Sequence, residues 1–219
     1  MSDVTVEICV DSVESAIAAQ AGGAQRVELC DNLMEGGTTP SFGSIEIARS
    51  RLGIRLHVII RPRGGDFLYS ETEFDIMKSD IEAANRLGVD GIVIGILDRE
   101  GNIDTARTKE LVGLARPMSV TFHRAFDVCR DPFQAVDDLA GSGVDRILTS
   151  GQEATAVEGL ETLAELVSYA ADRIVIMACG NLNERNINRV IAATNVKEVH
   201  FTAFGEVGSG MRHRNERVF

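Results

Sequence analysis

The sequence predicts a (β/α)8, TIM-like barrel, and three observations carry that prediction. Eight short runs rich in β-branched residues recur along the 219 residues: VTVEICV, RVELC, RLHVIIR, GIVIGIL, MSVTFHR, DRILTS, RIVIMA and EVHFTA. Segments with helical spacing separate them, as strand–helix units around a parallel sheet require. The phrase that enters several strands also repeats, as AGGAQRVEL, LGVDGIVIG and SGVDRILTS. Each closes a helix on glycine and passes through a polar residue into a strand, the pattern of glycine caps feeding parallel strands. No linker-like stretch interrupts residues 1–219, so they read as a single barrel domain.

The elements follow in order. In VEICV the apolar phase, Val6, Ile8 and Val10, suits a surrounding helix layer, which turns Glu7 and Cys9 toward the barrel axis. In RVELC the same alternation sends Val27 and Leu29 outward and Glu28 and Cys30 inward. It places His57 and Arg61 of RLHVIIR, Thr121 and His123 of VTFHR, and His200 and Thr202 of EVHFT on the inner phase. After the third strand, Ser70 and Glu73 form a capping box and Phe74, Met77, Ile81 and Ala84 share one helix face. A later helix opens at Asp131-Pro132, with Val136 and Leu139 turned inward. A doubly wound open sheet competes, but it would announce a GxGxxG after its first strand, and EICVDSVES has none. The tail at 204–219, FGEVGSGMRHRNERVF, is too polar and glycine-interrupted for a good closing helix. The last helix is therefore expected to be short or missing, its flank covered by the tail or by a second subunit in a homo-oligomer.

Composition excludes several function classes. A formal charge of −11 argues against a nucleic-acid surface, which needs clustered Lys and Arg. No segment approaches the roughly 18 apolar residues of a membrane span. The N-terminus has no basic stretch followed by an apolar run, so no secretion signal is expected and the location expected is the cytoplasm. Cys9, Cys30, Cys129 and Cys179 are widely spaced, contain no CxxC and read as reduced thiols. Lysine occurs only at Lys78, Lys109 and Lys197, none at the C-terminal end of a strand, which opposes a Schiff-base aldolase. The absence of GxSxG removes a nucleophile-elbow hydrolase.

The C-terminal strand ends form the functional face of such barrels. There IIRPRGGDFLYS sends Arg61, Arg63 and Asp66 out beside two glycines. Two guanidiniums that can each fork onto a carboxylate or phosphate suit a small anionic ligand. The alternative is an internal clamp, with Arg61 or Arg63 paired to Glu28 or Asp66. Ser150 and Gly151 after the sixth strand, and Gly180-Asn181 after the seventh, lie where barrels present backbone amides to phosphate, or else make tight turns.

Taken together, VEICVDSVESA, GGAQRVELCDNLMEGGTTPS, IIRPRGGDFLYS, VTFHRAFD and RILTSG resemble the copper homeostasis protein CutC family. The resemblance implies a TIM-like barrel, a cytosolic location and an association with copper, with no established reaction. It also implies Cu(I) binding through two cysteines, which match Cys9 and Cys30 here. After the seventh strand, where the family runs glycine-rich, this chain reads MACGNL, with side chains at Cys179 and Asn181. The family also carries a further C-terminal extension.

Cys9 and Cys30 occupy matching places in VEIC and VELC, so neighbouring strands about 4.8 Å apart would bring two thiolates within reach of one soft ion. The same spacing is compatible with a disulfide, and small apolar Cys also packs a tapering barrel interior. Glu7 and Glu28 are hard ligands that do not select Cu(I). Two functional classes stand side by side. One is a non-catalytic Cu(I)-binding protein with Cys9 and Cys30 as ligands. The other is a barrel enzyme on a small anionic or phosphorylated substrate, with Glu28 and His123 in acid–base roles and Arg61, Arg63, Asp66, Ser150 and Gly151 holding the anion. A divalent metal on Glu28, His57 and His123 is a further variant that no motif spacing enforces. Whether the chain is an enzyme stays open at this level.

Overall fold

The computed structural model describes residues 4–205 and 207–217. Eight strands, β1 (Thr5–Val10), β2 (Arg26–Leu29), β3 (Arg55–Ile59), β4 (Gly91–Ile94), β5 (Ser119–Phe122), β6 (Arg146–Thr149), β7 (Val175–Ala178) and β8 (Glu198–Phe201), pair in sequence order into a closed barrel. Every pairing is parallel, including the closing one between β8 and β1. Among the described residues seven α-helices wrap it: α1 (Val13–Ala21), α2 (Phe42–Arg51), α3 (Glu71–Arg86), α4 (Thr105–Ala115), α5 (Pro132–Gly141), α6 (Leu160–Ala170) and α7 (Ile187–Thr194). This is the barrel that the alternating runs predict.

Local chemistry sets the helix ends. Ser70 accepts the Glu73 backbone N–H while the Glu73 carboxylate accepts that of Ser70, so two orphan donors at the start of α3 are satisfied at once. Asp131 caps α5 through the N–H groups of Phe133 and Gln134, with Pro132 in the first turn. Gly88 and Gly143 take φ of +70° and +81° just past α3 and α5, the left-handed conformation that lets the chain turn back into β4 and β6.

The outward strand phase and the helix faces merge into one core. Ile8, Val10, Val27, Leu29, Leu56 and Val58 pack against residues such as Phe74, Met77, Ile81, Val136 and Leu139. Each such side chain contributes about 1.5–3 kcal/mol by leaving water. Inside the barrel, Cys9, Cys30, Ile59 and Val93 form one small cluster and Leu148, Met177 and Cys179 another. The remaining interior is polar.

The register departs from the matched placement of VEIC and VELC. Glu7 lies opposite Arg26 and Cys9 opposite Glu28, so Cys30 stands two residues further along its strand than a direct partner of Cys9. Barrel closure requires this stagger, because tilted strands close only with a net shear.

Among the described residues no helix follows β8. The chain instead runs irregularly, leaving Phe204, Val207 and Met211 largely exposed. A groove of about 690 Å3 lies on this flank, lined by α1, the outer edge of β1 and the chain after β8. No described helix is long and apolar enough to cross a membrane.

Candidate metal centre

The floor of the barrel is an ion-pair network built from the first inward residues of several strands. Arg26 on β2 is fully buried and reaches the Glu7 carboxylate through Nε and Glu198 on β8 through an Nη at 2.5 Å, with Met177 Sδ at 3.1 Å. Arg146 on β6 bonds the same Glu198 oxygen at 3.0 Å and the hydroxyls of Ser119 and Thr121. The sequence reading omits Arg26, Arg146 and Glu198. Period-two alternation could have found them, since Arg26 shares the phase of Glu28 and Glu198 that of His200.

Above this floor, donors from β1, β2 and β8 converge. Cys9 and Cys30 are free thiols, both buried, with their Sγ atoms 3.6 Å apart. Donor atoms of Cys9, Glu28 and Cys30 lie within 4.8 Å of one another, and so do those of Glu7, Glu28 and His200. Glu28 belongs to both sets. His200 Nδ1 is 2.7 Å from Glu7 Oε1, while its Nε2 stands 3.7 Å from Glu28, beyond hydrogen-bond reach.

The ionisation of this cluster follows from burial and neighbours. The hydrogen bond with Cys30 is the main cause that pulls the Cys9 thiol down to about 5, against burial and with help from His200. The same hydrogen bond pushes Cys30 well above the ordinary thiol range, with burial adding to the shift. Burial, followed by the charge on Cys9, raises Glu28 well above the carboxylate range. Burial would depress the His200 imidazole, but the neighbouring Cys9 sulfur, its hydrogen bond to Glu7 and the nearby carboxylates hold it well above the usual value. Burial would likewise raise Glu7, and its bond to His200 and the Arg26 charge keep it below the carboxylate range.

The remaining residues singled out in the sequence sit elsewhere. Arg61 is buried and donates to the carbonyls of Glu35 and Gly37, each at 2.7 Å, and to that of Gly65 at 2.9 Å. Arg63 bonds Glu73 at 2.6 Å, Asp66 Oδ1 at 2.9 Å and the carbonyls of Gly64, Asp66 and Leu68. The loop IIRPRGGDFLYS is thus stapled by its own arginines, with backbone carbonyls taking most of the role that the clamp alternative gives to carboxylates. Ser150 and Gln152 direct backbone N–H groups at the Asp127 carboxylate, 3.0 and 3.2 Å away, and the Gly151 N–H bonds Thr149 Oγ1. The turn after β6 does receive an anion, and that anion is the chain's own Asp127.

His123 is separate from Glu28. Its ring lies 5.0 Å from that of Phe67 and against Gly95, its Nδ1 accepts the Ala125 N–H, and its buried Nε2 has no partner. His57 faces Glu7 at 3.8 Å and packs on Gly91, so the donors that meet Glu28 come from the cysteines, Glu7 and His200 and not from His57 or His123.

Burial, then the charge of Arg61, pushes the His123 imidazole down to about 3. An unfolded histidine titrates near 6.5. Between about pH 6.5 and 3 the unfolded chain therefore binds a proton at this position that the folded chain refuses, and stability falls as pH drops through that window. His123→Gln is expected to flatten the pH dependence of urea-unfolding stability by up to about 1.4 kcal/mol per pH unit there. A slope equal to that of the unaltered protein would mean the ring is not held neutral.

Fold and site define a (β/α)8 barrel with a buried sulfur–carboxylate–imidazole cluster on β1, β2 and β8. The model of the CutC family matches residues 4–205. A CutC family protein from Chromobacterium violaceum is 54% identical over 216 residues, covering 99% of this chain and 87% of its own length. A human relative described as a copper homeostasis protein cutC homolog is 46% identical over 213 residues, 97% of this chain and 78% of its own. The crystal structure of the CutC protein from Streptococcus agalactiae superposes with a TM-score of 0.87 at 37% identity, covering 91% of this chain and 98% of that one. The chain belongs to the CutC family, some of whose members are named copper homeostasis proteins.

Proposed function

We propose that this protein binds Cu(I) inside its barrel through Cys9 and Cys30 and serves copper handling in a reducing cytosol. One observation carries the reading: two free, buried thiols, Cys9 on β1 and Cys30 just past the end of β2, hold their sulfurs 3.6 Å apart. The donor chemistry suits the ion, because thiolates are the soft ligands that select Cu(I) over hard divalent cations. One of the two sulfurs is already drawn toward the thiolate by its neighbours, which lowers the cost of deprotonating the pair. Free thiols of this kind persist where glutathione and thioredoxin keep cysteine reduced.

Competition between the reduced protein and a chromophoric Cu(I) chelator under anaerobic conditions tests the proposal. Uptake of about one Cu(I) per chain is expected, and Cys30→Ser should weaken it at least about tenfold by leaving a single soft donor. Unchanged uptake in Cys30→Ser would overturn it.

Acid–base chemistry at Glu28 and His123 draws less support. The guanidiniums of Arg61 and Arg63 are committed to carbonyls, Glu73 and Asp66. A general base works best when poised near the operating pH, and His123 lies far below it.

A further inference from the structure

We propose that Cys9, Cys30, Glu28 and His200 together form a four-donor site for a divalent ion of the zinc class, with Glu7 positioning the imidazole. The site shares its two sulfurs with the Cu(I) reading and adds two donors that reading does not use.

Three features of the cluster point to it. The first is the arrangement of His200. Its Nδ1 is engaged by Glu7 at 2.7 Å, and its Nε2 is turned toward Glu28 without bonding it. Carboxylate–histidine pairs of this kind are the usual backing of a metal-bound imidazole, since the carboxylate fixes the tautomer that leaves the other nitrogen free to coordinate. Glu7 is itself held by Arg26, so the backing group is anchored to the barrel floor.

The second is spacing. With zinc–sulfur bonds of about 2.3 Å, a tetrahedral angle puts two sulfurs about 3.8 Å apart and a linear one about 4.6 Å. The observed 3.6 Å is close to the tetrahedral value. Glu28 belongs to both donor triads, Cys9–Glu28–Cys30 and Glu7–Glu28–His200, each within 4.8 Å, so an ion held at Glu28 would draw its other ligands from both. Two thiolates, one carboxylate and one imidazole match the ligand types zinc accepts, whereas the two oxygen and nitrogen donors add little for Cu(I).

The third is access. Cys9 is the one member of the set among the residues that line the groove of about 690 Å3 on the flank where no described helix follows β8.

Titrating the reduced protein with Co2+, a spectroscopic stand-in for Zn2+, tests the site without any assay of activity. The expected result is the intense ligand-field absorption of four-coordinate cobalt together with sulfur-to-cobalt charge transfer, both abolished by added Zn2+. His200→Gln and Glu28→Gln should each weaken Co2+ binding at least about tenfold and reduce the four-coordinate intensity. Glu7→Gln should weaken it by roughly 10–100-fold while preserving the band shape, as expected for a residue acting through its neighbour. Uptake of Cu(I) should survive His200→Gln, so the two sites are told apart. A weak six-coordinate spectrum in the unaltered protein overturns the inference with no need of a variant. So does a four-coordinate spectrum that persists in both His200→Gln and Glu28→Gln with near-ultraviolet circular dichroism unchanged. Cu(I) uptake without four-coordinate Co2+ would sink this site alone. The reverse result would sink the Cu(I) reading alone.

Discussion

Replacing Arg26 with alanine is expected to cost about 3–5 kcal/mol of folding stability, because it leaves the buried Glu7 and the partly buried Glu198 carboxylates without their shared cation. Arg26 is fully buried and bridges β1, β2 and β8. The nearest other guanidinium, Arg146, reaches Glu198 but forms no bond to Glu7. The measurement is the urea-unfolding midpoint with its slope unchanged, which separates a stability loss from a change in the unfolded state. The cost comes from stranded charge and not from the pair itself. Adding Glu7→Gln and Glu198→Gln to Arg26→Met should therefore recover a large part of the loss. A loss below about 1 kcal/mol for Arg26→Ala would place the network among weak, solvated ion pairs.

Gly95→Ala is the second large effect, expected at about 3 kcal/mol or more. Gly95 follows β4, and a Cβ there would overlap the His123 ring and come within 2.8 Å of Ala125 Cβ. The ring cannot retreat easily. It sits 5.0 Å from Phe67 and 6.1 Å from Phe122, and its Nδ1 holds the Ala125 N–H. Gly113 in α4 offers a control, since a Cβ there meets nothing within 4 Å and alanine raises helix propensity. Gly113→Ala should be neutral or slightly stabilising. If Gly95→Ala were equally harmless, the close approach of His123 to β4 would be wrong. Combining it with His123→Ala should be less costly than the sum of the two changes, because they share one space.

Both predictions concern residues whose roles differ in how far the sequence disclosed them. The alternation in VEICV and RVELC was enough to turn Glu7, Cys9, Glu28 and Cys30 inward, and His57, His123 and His200 followed from the same period in their own strands. Helix boundaries were equally accessible, since Ser70–Glu73 and Asp131-Pro132 are local capping chemistry. The matched placement of Cys9 and Cys30 in their motifs suggested direct neighbours. The sulfurs do meet, but across a stagger of two residues.

The fate of the arginines was not accessible in the same way. IIRPRGGDFLYS has the composition of an anion-binding mouth, yet Arg61 turns to the carbonyls of Glu35 and Gly37, which arrive from the loop after β2. Ser150 and Gly151 sit on a turn that does hold a carboxylate, but Asp127 from the preceding strand–helix unit supplies it. Free donors and satisfied donors are written with the same letters.

The strand period, the caps and the eightfold alternation are properties of neighbouring residues, and for that reason the sequence alone determined the barrel and its inward set. Shear, the pairing of Glu7 with His200 across 193 positions, and the commitment of each guanidinium were decided only when the sheet closed. Closure brings first and last strands side by side and sets the stagger between all the others, and no local pattern encodes which distant partner will then stand within a bond length.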